Sequence, residues 1–506
     1  MPITPTYPGV YIEELPSEVR TITGVSTSAT AFIGRALRGP MNEAVRVFTF
    51  SGYIRIFGGL WKESNMSYAV YHYFLNGGKE AIITRVHNNA TSAIFRRDDS
   101  DLRLRAITSG SWGRNLLITV NHNVDMTLEN ADALFNLFIK DTETGVNETF
   151  RNLSVDPKDF RFIGNILEFH SNLVRLDGNA PCIRPSEDDY GNPKFVCVKD
   201  SGSDGDPLTA EEIIGDSKSK TGIYALDNAD LFNLLCIPTF HQNDNTDSRL
   251  LVYEKALEYC HERRAILLVD PPKEWTDMDK TLEGIERLSL FPRENAAVFF
   301  PRIMAPEPDE GNQPREFVPC GAVAGVIART DETRGVWKSP AGIEATLNGI
   351  SDLTVHLSDY ELKALNSAAI NCLKALPSGS IVLWGARTMQ DDDGLSRDWK
   401  YLAVRRLTLY IEESLYRGTQ WVVFEPNNEK IWSQIRLNVG AFMHNLFTQG
   451  AFQGFDPKDA YFVKCDSETT TQYDIDMGVV NIVIGFAPIK PAEFIIMKIQ
   501  HKLGQR

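Results

Sequence analysis

The sequence predicts a multidomain protein of combined α+β and α/β class, built on a mixed sheet flanked by helices. Three observations point to this fold. Apolar runs of strand length alternate with helical runs on either side of residues 91–222, the pattern of a sheet with helices on its faces. Within residues 91–222, short runs instead alternate apolar and polar residues, as half-buried strands do. Extended runs next to prolines at both chain ends predict terminal β-strand arms.

The length of the chain indicates how many domains it has, and its charge limits the partners that it can bind. Its 506 residues exceed one hydrophobic core and suggest about three domains of ~100 to 200 residues each. The net charge of −15 argues against a nucleic-acid partner, because binding to phosphates requires a basic surface. We find no apolar run of ~18 residues and no signal-peptide pattern, so we expect no membrane partner and assembly in the cytoplasm of the producing cell.

Several short motifs resemble ligand sites but lack the required spacing. Gly77–Lys79 lacks the remainder of a phosphate-binding loop. Asp204 and Asp206 lie in a Gly/Ser/Asp-rich segment without the glutamate that completes a calcium loop. The seven cysteines form no C-x-x-C pair, which favours reduced thiols over a disulfide framework or zinc site. We therefore expect no cofactor and no metal.

Residues 1–23 are predicted to form an N-terminal arm. The run Tyr7–Glu14 is extended and bracketed by prolines, and Val10 and Ile12, on either side of Tyr11, give it an apolar edge. A frayed terminus is the alternative interpretation of the same residues.

Residues 24–90 and 223–390 are predicted to form one α/β domain. Its strands are expected at Thr30–Gly34, Ala81–Val86, Leu231–Ile237, Ala265–Asp270, Ala296–Phe300 and Ser380–Trp384. Its helices are expected at Met66–Leu75, Ser248–Glu262, Met278–Leu288, Ala322–Arg329 and Ala368–Leu376. This alternation predicts a parallel or mixed sheet with helices on its faces.

Asp270 raises the possibility of an enzyme. It lies at the C-terminal end of a predicted strand, where α/β sheets place catalytic groups. Two prolines follow it, and we find no nucleophile-elbow, dinucleotide-binding or zinc-protease motif near it. An α/β enzyme with an accessory β domain therefore remains an alternative to a structural protein without catalytic residues.

Residues 91–222 are predicted to form an inserted β-rich domain. Its strands are expected at Arg103–Thr108, Asn115–Asn121, Leu134–Ile139 and Lys194–Lys199. The segment Asp200–Pro207 has the composition of a loop or linker. An insertion closed in this way is expected on the outside of any assembly.

Residues 391–490 are predicted to form a smaller domain with two long helices. Trp399–Leu415 has widely spread apolar positions, as expected for a helix covered on more than one side. A second helix follows Asn428 and carries one apolar face, made of Ile431, Trp432, Ile435, Val439, Phe442, Met443 and Leu446. Its opposite face is predicted to carry Lys430, Ser433, Gln434, Arg436 and Asn438.

The end of the chain is predicted to hold one buried strand and one arm. Val479–Phe486 is apolar at most positions, which predicts a strand covered on both faces. Two prolines then separate it from residues 491–506, the C-terminal arm. The arm's apolar residues are Phe494, Ile495, Ile496, Met497 and Ile499. A strand in this position is suited to completing the sheet of another molecule.

Several of these stretches resemble the contractile tail sheath proteins of myovirus-type phages, R-type pyocins and extracellular contractile injection systems. The stretches are Tyr7–Glu14, Ala324–Asp331, Arg334–Trp337, Trp384–Thr388, Gly478–Pro488 and Pro491–Ile496. The resemblance covers roughly residues 1–90 and 225–506.

The resemblance implies a non-enzymatic structural role. Subunits would form stacked hexameric rings around an inner tube protein, exchange arms between neighbours, and contact baseplate and terminator or cap proteins. The 391–490 domain would line the inside of the sheath, where Lys430, Gln434 and Arg436 would face the tube. The product would be part of a virion tail or of a released or anchored injection particle. A non-contractile tube or shell protein is a second alternative, because terminal arms fit it equally well.

Overall fold

One large mixed sheet forms the centre of the fold. The computed structural model describes residues 21–97, 99–179, 183–189, 193–238, 246–288, 293–308, 311–390 and 399–493. Its strands are β1 (Thr30–Gly34), β2 (Ala44–Val47), β3 (Ala81–Arg85), β4 (Ile94–Arg96), β5 (Arg103–Ala106), β6 (Leu116–Asn121), β7 (Phe135–Asp141), β8 (Asn147–Leu153), β9 (Val174–Leu176), β10 (Val196–Cys197), β11 (Leu234–Cys236), β12 (Ile266–Val269), β13 (Ala296–Phe300), β14 (Ile303–Glu307), β15 (Gln313–Phe317), β16 (Asp352–Leu353), β17 (Ile370–Ala375), β18 (Ile381–Leu383), β19 (Tyr461–Lys464) and β20 (Val483–Phe486). Eight of them form the central sheet, in the order β18-β17-β13-β12-β11-β1-β3-β2.

The central sheet is parallel in its interior and antiparallel at its edges. Six neighbouring strands, β17 through β3 in sheet order, pair in parallel. The edge strands β18 and β2 pair antiparallel with their neighbours. Every residue of β1, β3, β11, β12 and β13 is buried. Burial on both faces explains why these strands are continuous apolar runs rather than alternating ones, and it confirms the predicted mixed sheet.

Helices cover both faces of the central sheet. The helices of the described chain are α1 (Phe50–Phe57), α2 (Asn65–Leu75), α3 (Ile163–His170), α4 (Ala210–Ile214), α5 (Thr246–Glu262), α6 (Met278–Arg287), α7 (Cys320–Arg334), α8 (Asp359–Ser367), α9 (Leu402–Gly418), α10 (Glu429–Thr448), α11 (Pro457–Ala460) and α12 (Gln472–Asp476). One face packs on α1, α2 and α7, and the other on α4, α5, α6 and α8. Helices α2 and α7 approach closely at Gly321, where a Cβ atom would lie 2.0 Å from the carbonyl oxygen of Ala69.

The segment between β3 and β11 has a hydrophobic core of its own. It contains two small sheets, β10-β4-β5-β9 and β6-β7-β8. Polar contacts attach it to the central sheet: the buried Arg85 donates from Nη2 to the Ser109 carbonyl oxygen at 2.7 Å, and Arg35 donates to the Asp204 carbonyl oxygen at 3.0 Å. Burial lowers the pKa of Arg85 to about 10. The segment is therefore fixed to the sheet by buried hydrogen bonds as well as by chain connectivity.

The C-terminal part forms another core around α9 and α10. Asn428 begins α10, where its side chain accepts a hydrogen bond from the Ile431 N–H. All seven apolar positions predicted for one face of this helix are buried. Helix α9 contributes Leu402 and Leu409 to the central sheet's core, and Leu407 to the core around α10. The prediction that this helix is covered on more than one side is confirmed.

The prediction of a helix at Ala368–Leu376 is wrong. Helix α8 ends at Ser367, Ala369 takes the left-handed conformation at φ 59°, and the chain continues as β17. Alanine and leucine favour a helix locally, but the chain lies between β13 and β18 and pairs with both. The Asn371 side chain also donates to the Val298 carbonyl oxygen at 3.0 Å. Pairing within the sheet therefore overrides local helix propensity.

Two further predictions in the C-terminal part are wrong. The strand expected at Val479–Phe486 is limited to β20 and is not covered on both faces, since Val483 is 44% exposed. The reason is that β20 pairs with β19 in a two-stranded sheet at the edge of this part. Asn438 was predicted on the polar face of α10 but is buried, at 2% exposure. The buried face of this helix is wider than the stripe formed by its apolar residues, and it includes Asn438.

Candidate assembly surfaces

Asp270 is enclosed in the core and does not face a cleft. Its residue is 1% exposed, and its Oδ1 accepts a hydrogen bond from the Cys320 N–H at 3.0 Å at the start of α7. Within the described residues, Oδ2 has no hydrogen-bond partner. Burial raises the pKa of Asp270 to about 6. The carboxyl group therefore supports a helix end, and its position does not favour the enzyme interpretation.

The aspartates considered for calcium have structural partners. Asp204 Oδ1 accepts a hydrogen bond from the Ser111 N–H at 2.8 Å, and Asp206 Oδ2 accepts one from Asn89 at 3.2 Å. Across the described ranges, no group of three or more His, Cys, Asp or Glu side chains is placed to hold a metal ion. In the same part of the chain, no helix has the length and apolar content needed to cross a membrane.

A buried ion pair joins the central sheet region to the C-terminal part. Asp331 on α7 and Arg406 on α9 form two hydrogen bonds, of 2.8 and 2.5 Å, and both side chains are 3% exposed. Arg406 also donates to the Thr27 carbonyl oxygen at 2.8 Å. Arg329 does not pair with Asp331 but donates to the Thr346 carbonyl oxygen at 2.6 Å. Asp331 is thus a structural connection between two helices.

The two-stranded sheet β19-β20 is partly exposed to solvent. Its strands pair antiparallel from Tyr461 opposite Phe486 to Lys464 opposite Val483. One face packs against the core around α10, through Tyr461, Val463, Ile484 and Phe486. The opposite face carries Phe462, which is 50% exposed. Within the described residues β19 and β20 are ladder partners only of each other, which leaves an outer edge on each strand.

The chain leaves this sheet and returns to the central sheet region. Ala487 N–H donates to the Ala460 carbonyl oxygen at 2.8 Å, and Phe452 forms a bridge with Pro488. At Glu493 the side chain forms an ion pair with Arg387, which follows β18. The last described residue is therefore attached to the central sheet region and not to the C-terminal part.

The three residues predicted to contact an inner tube lie on α10 in different environments. Lys430 is exposed, while Gln434 and Arg436 are half-buried. Arg436 donates to Glu429 at 2.7 Å and to the Cys465 carbonyl oxygen. These partners hold Arg436 along the helix surface, so Lys430 is the most accessible of the three.

The arm residues lie outside the described residues. These are Val10, Tyr11, Ile12, Phe494, Ile495, Ile496, Met497 and Ile499. The described chain next to the N-terminal arm packs on the C-terminal part: Ile22 is buried against its core, and the Val25 N–H donates to Ser414 Oγ on α9 at 3.2 Å. Both predicted arms therefore begin from defined positions.

Sequence analysis did not single out Arg387, Glu493 or Arg406. Arg387 and Glu493 lie inside two of the stretches that carry the family resemblance, so those stretches contained the signal. Arg406 lies in a helix that is apolar on most sides, where an arginine requires a buried acidic partner. The partner itself is 75 residues away and is defined only by the fold.

Comparison with known proteins identifies the family. The model of the phage tail sheath protein central domain matches residues 214–389, and that of the phage tail sheath C-terminal domain matches residues 396–502. Together they cover more than half of the chain. A tail sheath protein of Vibrio phage KVP40 is 27% identical over 192 residues, which is 37% of this chain and 27% of that protein. The chain thus matches about a quarter of that relative's length.

Two solved structures with the same fold are named as sheath proteins. The PVC sheath complex of an extracellular contractile injection system, in its contracted state, has a TM-score of 0.60 at 20% identity, covering 99% of both chains. A sheath tail protein of Listeria innocua has a TM-score of 0.62 at 14% identity, covering 93% of this chain and 96% of that one. The two matching domain models place the chain in the phage tail sheath protein family.

Proposed function

We propose that the chain polymerises as stacked hexameric rings around an inner tube and contracts to drive that tube through a target envelope. The partners are further copies of the chain, the tube protein, and baseplate and terminator or cap proteins. Rings assemble in the cytoplasm of the producing cell and become part of a phage tail or an injection particle. The observation that carries this proposal is the two-stranded sheet, whose strands pair only with each other within the described residues, together with a sequence of strand character at residues 494–500.

The C-terminal arm of one subunit completes the sheet β19-β20 of a neighbour. An added strand would place alternate side chains on the inner face, where Tyr461 and Ile484 already pack on the core. In the arm, Ile495, Met497 and Ile499 lie two residues apart, which is the spacing that places three side chains on one face of a strand. The N-terminal arm, with Val10, Tyr11 and Ile12, is proposed for a second edge of the same kind.

The balance of energies favours assembly only when many junctions form together. About five backbone hydrogen bonds at ~1 kcal/mol each, plus roughly 1.5 to 3 kcal/mol for each buried apolar side chain, stabilise one junction. Ordering the arm costs about 1 to 2 kcal/mol per residue. The small surplus at one junction keeps free subunits apart until a baseplate and tube bring them together, and the many junctions of a wall then act jointly.

Contraction needs no cofactor in this scheme. The extended wall is a metastable packing of folded subunits that relaxes when their contacts are released. The buried central sheet keeps each subunit rigid during this change, and the exchanged arms keep neighbours connected.

The inner surface of the sheath is proposed to include α10. Lys430 is exposed near the start of the helix, and Gln434 and Arg436 follow on its accessible side. An acidic tube surface would complement Lys430 and Arg436. Changing Lys430 to Glu should weaken co-assembly with tubes, more strongly at low salt.

The outer surface is proposed to be residues 91–222, with 24–90 and 223–390 forming the wall. Most of the inserted residues share a separate core, whereas Leu208, Ala210 and Ile213 near the end of the insertion pack in the core of the central sheet. Replacing the insertion with a short Gly/Ser loop should leave tube formation intact, although Arg85 would lose the Ser109 partner and the central sheet would lose the packing of Leu208 and Ile213.

Electron microscopy of a truncation tests the proposal. Deleting residues 494–506 should leave a folded subunit that forms no sheath, even with inner tubes supplied, whereas the full chain should give wide hollow helical tubes. Deleting only residues 501–506 is the matched control and should leave tubes unchanged, because the predicted strand ends at Gln500. Tubes of normal length from the longer deletion would refute arm exchange.

A further inference from the structure

The base of the C-terminal arm is held by a forked ion pair. Glu493 is the residue immediately before the proposed arm strand, and its Oε1 accepts a hydrogen bond from Arg387 Nε at 2.9 Å. A second hydrogen bond joins Arg387 Nη2 to Oε2. Two parallel charged hydrogen bonds fix both the position and the direction of the carboxylate.

Arg387 is oriented before Glu493 binds to it. Its backbone N–H donates to Asn371 Oδ1 at 2.6 Å, and its carbonyl oxygen accepts from Asn371 Nδ2 at 2.8 Å. Its Nη1 donates to the Asn366 carbonyl oxygen, at 2.7 Å, near the end of α8. The guanidinium side chain is 8% exposed. Arg387 therefore forms a fixed site on the central sheet region to which the arm base is attached.

The arm base crosses an open cleft to reach this site. The cleft has a volume of about 950 Å³ and lies between the central sheet region and the C-terminal part. Ile489 and Pro491 border it on one side and Trp384 on the other. Ile489 is 38% exposed and Trp384 is 42% exposed, so apolar packing covers the arm base only partly. A defined path across this cleft therefore depends strongly on the ion pair.

We propose that Arg387 and Glu493 are positioning residues that set the point from which the C-terminal arm leaves its subunit. This inference rests on the proposed arm exchange and deepens it. The arm then links the central sheet region of one subunit to the β19-β20 sheet of the next. An arm with a fixed base loses less freedom when it pairs, so the ion pair accelerates assembly and restricts the choice of neighbour.

Hydrogen exchange and assembly of Glu493→Gln test this role. In the full-length soluble subunit, the backbone amide of Ile489, which donates to the Ala451 carbonyl oxygen at 3.4 Å, should exchange about tenfold faster or more, the effect of losing one charged hydrogen bond. The subunit concentration needed for sheath formation on supplied inner tubes should rise about tenfold. Arg387→Lys, which keeps the charge but not the fork, should act in the same direction. The matched control is Glu344→Gln, which removes an exposed ion pair with Arg334 at the same cleft and should change neither measurement.

The outcomes separate this inference from the proposal on which it rests. Unchanged local exchange and normal assembly of Glu493→Gln would overturn the positioning role, and arm exchange would still stand if deletion of residues 494–506 abolished tubes. Faster exchange throughout the subunit, with a lower melting temperature, would also overturn it, because the pair would then serve general stability. Normal tubes from the deletion would refute arm exchange itself.

Discussion

The eight-stranded sheet and the two-stranded sheet of this protein differ in how completely the subunit itself covers their apolar residues and strand edges. Strands β12 and β13 are buried along their whole length and covered by helices on both faces. In the small sheet, Phe462 and Val483 remain 50% and 44% exposed, and each strand has an outer edge. The first sheet uses its apolar residues for the stability of the subunit. The second leaves apolar surface exposed and, within the described residues, an outer edge on each strand, where we propose that another chain pairs.

Helix α9 connects these two regions mechanically. It contributes to both hydrophobic cores, and the Asp331–Arg406 pair fixes it to α7. Under the proposed arm exchange, movement of a neighbour's arm in the small sheet would therefore act on the whole subunit as a rigid body. This contrast predicts that substitutions in the large sheet alter folding, whereas those in the small sheet alter assembly.

The largest expected effect is in the large sheet. Phe299 on β13 is 1% exposed, and Phe299→Ala should lower the free energy of unfolding by about 3 to 5 kcal/mol, from lost transfer energy and a cavity. Urea unfolding followed by circular dichroism measures this change. Phe455→Ala is the matched control, since Phe455 is fully exposed, and should change it by less than about 0.5 kcal/mol. Equal effects at the two positions would contradict the contrast.

Breaking the Asp331–Arg406 ion pair, which connects the two regions, should lower the free energy of unfolding by nearly as much. Asp331→Asn leaves the Arg406 charge buried without its counter-charge and should cost about 3 kcal/mol in urea unfolding. Glu344→Gln breaks an exposed pair with Arg334 and should cost less than about 0.5 kcal/mol. A cost for Asp331→Asn as small as this control would show that the pair does not couple α7 to α9.

A pH-dependent effect of intermediate size is expected in the large sheet. Burial raises the pKa of Asp270 from 3.8 to about 6, so the folded state favours the protonated form. Below the pKa that Asp270 has in the unfolded state, the carboxyl group is protonated in both states and does not change the free energy of unfolding. As the pH rises through about 4 to 6 the unfolded state ionises first, and the subunit loses about 2 to 3 kcal/mol.

Asp270→Asn should remove this component of the pH dependence. Unfolding of the variant and of the parent chain between pH 4 and 7 gives the comparison, with the charges of Arg302 and Arg249 present in both. Parallel stability curves for the two proteins would show that Asp270 does not titrate in this range.

The sequence alone predicted the large sheet better than the small one, for a physical reason. Burial on both faces produces continuous apolar runs that can be recognised locally, and β1, β3, β12 and β13 were predicted within one or two residues. Strand β17 was missed because its alanine and leucine residues favour a helix and only its neighbours decide otherwise. The extent of β20 was overestimated because its apolar residues serve a partly exposed sheet. The Arg387–Glu493 contact depends on chain folding over 106 residues, which no local pattern encodes.

The smallest effect on folding is expected in the small sheet, where the effect on assembly should be clear. Phe462→Thr keeps a residue that favours strands and removes an aromatic side chain that is half exposed, so unfolding in urea should change by less than about 1 kcal/mol. A neighbour's strand added beside β19 would cover part of Phe462, and losing that contact should raise the subunit concentration needed for sheath formation, about three- to tenfold for 0.7 to 1.4 kcal/mol per junction. Sedimentation of sheaths formed on inner tubes measures this concentration. Phe455→Thr, at a fully exposed position before α11, provides the control and should leave assembly by the small sheet unchanged. Equal assembly by Phe462→Thr and the parent chain would place the receiving edge away from β19.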